Sequence, residues 1–85
     1  MHTRTVTVGS AEGLHARPAG IIAETAEELG AEVLITFGDE EADADSAMLI
    51  MALGAEKGAE VTVSGEDAAA VDRIAGLIEQ DLDAE

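Results

Sequence analysis

Residues 3–8, TRTVTV, alternate polar and β-branched side chains, the two-residue period of a strand with Val6 and Val8 facing inward. Residues 9–14 predict a loop. From Ala16 to Leu29 the period changes: apolar residues at 19, 22, 23, 26 and 29 line one face of an amphipathic helix, and Gly30 is a suitable stop. AEVLITF (31–37) predicts a second strand, GD (38–39) a hairpin turn, and EEAD (40–43) a short charged edge strand. SAMLIMAL (46–53) reads as a short helix with Ser46 as N-cap and Gly54 as its stop. AEVTVSG (59–65) is a fourth strand, and Asp67 caps a last helix whose face carries Val71, Ile74, Leu77, Ile78 and Leu82.

The order β-α-β-β-α-β-α predicts an α+β fold: a four-stranded, largely antiparallel sheet with its helices on one face and the other face open to solvent. The 85 residues are expected to form a single domain spanning the whole chain, 1–85. Phe37 is the only aromatic residue, so the core must be aliphatic. Cysteine is absent, which excludes disulfides and thiolate metal sites and makes the cytoplasm the simplest compartment. MHTRTVTV lacks the apolar core of a signal peptide, and AMLIMALGA falls short of the ~20 residues that span a bilayer. A soluble monomer is therefore expected, with no membrane partner.

Charge changes this picture only at the surface. The net charge of −15 makes nucleic acid and anionic membranes poor partners. The 19 carboxylates are spread from Glu12 to Glu85 rather than gathered in a patch. Dispersed acid with almost no lysine points to a halophilic host, where the Debye length falls to ~3 Å at 1 M salt and self-repulsion is screened.

The candidate chemistry lies in EGLHARPAG, residues 12–20. Proline is tolerated in a helix only in the first turn, so Pro18 sets the helix start near Ala16 and makes His15 its N-cap. The imidazole then stands beside free backbone N–H groups, those of Ala16 and Arg17, at the positive end of the helix dipole. The Arg17 guanidinium adds a fork suited to phosphate oxygens. A neutral imidazole beside an anion cradle can take up a phosphoryl group and pass it on. On spacing alone, an ordinary helix-start histidine beside an exposed arginine accounts for the pattern equally well.

GLHARPAG resembles the active-site signature of HPr, the histidine-containing phosphocarrier family of the phosphoenolpyruvate-dependent sugar phosphotransferase system. SAMLIMALGAEKGAEVTV (46–63) is similar to that family's second signature, and length and element order match over essentially the whole chain. The resemblance implies an open-faced sandwich of four strands under three helices. It implies that His15 carries phosphate on Nδ1, received from Enzyme I and handed to EIIA proteins or domains, with Arg17 steadying the group. It also implies an apolar docking patch at Leu14, Ala47, Met48 and Met51, with plain core packing as the alternative for the two methionines.

Some HPr proteins are phosphorylated by an HPr kinase at the position of Ser46; its role as helix cap explains that serine without regulation. A regulatory HPr-like protein, or a donor to a dihydroxyacetone kinase or a nitrogen-linked relay, are the alternative functions. Ala47 is smaller than the family's usual residue there, and the acidic surface departs from the family's basic docking face. His2 has no nearby partner. No histidine–carboxylate set has metal spacing, and no cofactor is expected.

Overall fold

Alternation along the strands sorts their side chains onto two faces. In the computed structural model, which describes residues 1–82, β1 (His2–Thr7), β2 (Val33–Phe37), β3 (Glu40–Asp43) and β4 (Glu60–Gly65) form one sheet in the order β1-β4-β2-β3. All three pairings are antiparallel, with Val6 opposite Val61, Ile35 opposite both Ala42 and Val63, and Thr36 opposite Thr62. Val6, Val33, Ile35, Ala42, Val61 and Val63 are buried on the inner face. On the outer face threonines and Ser64 lie alongside Leu34, Glu41, Asp43 and Glu60, and the Oγ1 atoms of Thr5 and Thr62 lie 3.1 Å apart across the β1–β4 pair.

Three helices cover the inner face: α1 (Ala16–Leu29), α2 (Ala47–Ala52) and α3 (Ala68–Glu79). Their start and stop signals are local. Ser46 Oγ accepts from the Leu49 N–H at 3.2 Å, and Asp67 Oδ1 accepts from Ala69 and Ala70 at 3.0 and 3.2 Å. Gly30 ends α1 in the left-handed conformation at φ 67°, donating to Ala26 and Glu27 carbonyls. The core between the layers is aliphatic, with Ile22, Ile35, Ile50, Ile74 and Ile78 fully buried. Each such side chain contributes roughly 1.5–3 kcal/mol by leaving water. The fold is the open-faced sandwich expected from the order of elements.

Two apolar positions depart from the periodic reading. Leu29, on the predicted stripe of α1, is 42% exposed in the last turn. Leu82 does not extend α3, because Gln80 is already extended at ψ 154°; it packs on the core from beyond the helix end.

Candidate functional site

The loop from β1 to α1 is held between two other parts of the chain. Gly9 N–H donates to the Ile78 carbonyl near the end of α3 at 3.0 Å. Ser10 is fully buried; its Oγ donates to the Gln80 carbonyl at 3.3 Å and accepts from the Leu82 N–H at 3.1 Å. On the other side, Leu14 N–H donates to the Ala55 carbonyl at 2.9 Å, in the connection between α2 and β4. Gly13 makes that approach possible. Its φ is +80°, and a Cβ there would stand 2.5 Å from the Ala55 oxygen and 2.8 Å from the Glu56 Cα.

His15 follows directly and is the N-cap of α1, with extended backbone and no side-chain capping bond. Its carbonyl accepts the first helical bond, from Ala19 N–H at 2.9 Å. Pro18 has no N–H to offer. The N–H groups of Ala16 and Arg17 precede the first residue that can find a helical acceptor, and no other acceptor takes them among the described residues. The imidazole is half-exposed, and the exposed Arg17 guanidinium forms no ion pair or hydrogen bond among the described residues. A tetrahedral anion at His15 would meet two unused donors, the dipole of a 14-residue helix and a free guanidinium.

One neighbour was not singled out from the sequence. Glu12 Oε2 lies 3.1 Å from His15 Nε2. The i, i+3 separation alone carries no signal, because Glu12 is outside the helix and only the fold of the loop brings the groups together.

The remaining expected residues fall into three settings. Ser46 caps α2. Met48, Leu49 and Met51 are 76%, 43% and 41% exposed, so the methionines are not core, and Leu49 joins them on the surface beside a part-buried Ala47. Leu14 requires a correction: it is 3% exposed and belongs to the core cluster, so it offers no side chain for docking. The cause is the backbone bond to Ala55, which pulls residue 14 inward in the position of a hydrophobic staple ahead of the cap. Among the described residues, no three histidines or carboxylates are grouped to hold a metal ion.

An open-faced β-α sandwich presenting one histidine at a helix start is the arrangement implied by the resemblance to small histidine-containing carriers. Comparison with known proteins agrees. The family model described as "PTS HPr component phosphorylation site" matches residues 2–80. The phosphocarrier protein HPr of Streptomyces coelicolor is 38% identical over 87 residues, covering 98% of this chain and 94% of that protein. HPr-C-His from Thermoanaerobacter tengcongensis superposes with a TM-score of 0.88 at 31% identity, over 100% of this chain and 99% of that one. HPr from Bacillus anthracis gives 0.79 at 30% identity, over 91% and 95%. The chain belongs to the HPr family of phosphocarrier components of the phosphotransferase system.

Proposed function

We propose that this protein accepts a phosphoryl group from Enzyme I on His15 and delivers it to EIIA components for sugar uptake. The observation that carries this reading is the unused pair of N–H donors, Ala16 and Arg17, at the helix start that His15 caps. Phosphoryl transfer needs chiefly positioning and charge stabilisation, which a small rigid scaffold can supply without a substrate pocket. In that role Arg17 neutralises charge on the transferring group. Met48, Leu49 and Met51, with Ala47, form the docking surface, which suits a carrier with several partners because methionine repacks readily.

The same reading takes the chain as a single monomeric domain in the cytoplasm. Its dispersed acid suits a salt-rich interior. Among the described residues no helix is long and apolar enough to cross a membrane. Ser46 acts as a cap, with Asp43 and Asp45 close in sequence opposing a second phosphate by like charge.

The test is labelling from phosphoenolpyruvate and Enzyme I. His15→Ala loses the label while keeping the fold, and the wild-type phosphate is acid-labile, as a phosphoramidate is. Undiminished labelling of the alanine variant refutes the carrier reading.

A further inference from the structure

We infer that Glu12 is a positioning residue for His15: its carboxylate keeps the ring proton on Nε2 and becomes the counter-ion of the ring once Nδ1 carries phosphate. The inference rests on His15 being the phosphoryl acceptor. Glu12 Oε2 stands 3.1 Å from Nε2, within the distance of a charge-assisted hydrogen bond. Neither nitrogen of His15 is engaged in capping its own helix. No other carboxylate forms an ion pair with the ring among the described residues.

A neutral imidazole carries its proton on one nitrogen and a lone pair on the other, and the partner of the first decides which is which. A negative oxygen beside Nε2 favours the proton there. That leaves the Nδ1 lone pair as the nucleophile. In the transfer step this pair forms the new N–P bond while the bond from phosphorus to the donor breaks, its electrons leaving with the donor. No proton has to move. The Nε2–H stays in place, and the ring gains one positive charge next to the Glu12 carboxylate. The pair is therefore worth more after transfer than before it, which is the condition for favouring the product.

Arg17 cannot fill this part, because it is a cation and belongs with the phosphate. Nor is Glu12 engaged elsewhere as a structural link: it is exposed, and among the described residues its side chain bonds to His15 alone. Its replacement leaves the core untouched, so a folded variant is available for measurement.

The experiment compares wild type, Glu12→Gln and Glu12→Ala. Long-range 1H–15N NMR at about pH 8.5, where an ordinary imidazole is neutral, reads which nitrogen of His15 is protonated, with exposed His2 as internal reference. The wild type shows an excess of the Nε2–H form at His15. Glutamine, which keeps an acceptor oxygen, retains most of it, and alanine brings His15 to the His2 ratio.

Equilibration with phosphoenolpyruvate and Enzyme I reads the second effect. Both variants hold about two- to five-fold less phosphate at equilibrium, the range for a partly exposed ion pair, and the gap narrows in molar KCl. An unchanged tautomer ratio in Glu12→Ala overturns the inference, as does unchanged phosphate occupancy in both variants. Labelling of His15→Ala would overturn the carrier reading instead, and the tautomer ratio, measured without phosphate, separates the two failures.

Discussion

Substituting alanine for Gly13 tests whether the site loop is held as described. Two costs combine. The backbone at Gly13 has φ +80°, where an L side chain is strained by about 1–2 kcal/mol. The new Cβ would also lie 2.5 Å from the Ala55 oxygen and 2.8 Å from the Glu56 Cα, both backbone atoms. The Ala55 carbonyl cannot retreat alone, because it accepts the Leu14 N–H at 2.9 Å. Such overpacking costs roughly 1–3 kcal/mol.

The total, about 2–5 kcal/mol, is a large part of a small domain's stability. At about 4–8 °C per kcal/mol for a chain of this size, the melting temperature falls by roughly 8–40 °C. His15 lies two residues along, so transfer slows as well. Gly20→Ala is the matched control. Gly20 sits inside α1, where an added methyl group would meet nothing within 4 Å, and alanine there gains up to ~1 kcal/mol of helix propensity. Thermal melts followed by circular dichroism give opposite signs for the two variants. A Gly13→Ala melt within experimental error of wild type would refute the close approach.

Ser46→Ala loses the bond to Leu49 and melts about 4–8 °C lower, for a cap worth ~1 kcal/mol. Ser46→Asp restores most of that, and neither change slows labelling of His15; a slowed Ser46→Ala would give the serine a role in transfer. Arg17→Ala still accepts phosphate, because the Ala16 and residue-17 N–H groups remain, but does so more slowly; unchanged stopped-flow rates in both directions remove Arg17 from the mechanism. Melting temperature rises between dilute buffer and molar KCl, since Arg4, with Asp72 and Glu79, is the one arginine or lysine in a salt bridge among the described residues, while the net charge is −15. A flat salt response refutes the halophilic reading.

What the sequence determined by itself was local. The span of α1 from Ala16 to Leu29, its Gly30 stop and the Ser46 and Asp67 caps depend on residues within one or two turns, and they stand where the pattern places them. Alternation likewise identified Val6 and Val8 as inward-facing. His15 and Arg17 were legible for the same reason, since Pro18 fixes a helix start beside them.

Tertiary structure decided what distant segments do to the loop. Ser10 reads as an ordinary loop serine until the end of α3 buries it and takes both bonds of its hydroxyl. The family resemblance assigns Leu14 to a docking surface, but the Ala55 carbonyl, 41 positions along the chain, draws its backbone inward. The strand order β1-β4-β2-β3 puts the first and last strands side by side, a pairing that no local period contains. Glu12 is near His15 in sequence, but its carboxylate reaches Nε2 only because Gly13 turns the chain against the α2–β4 connection. Periodicity reports which way a side chain faces within its own element; which groups meet depends on how the elements pack.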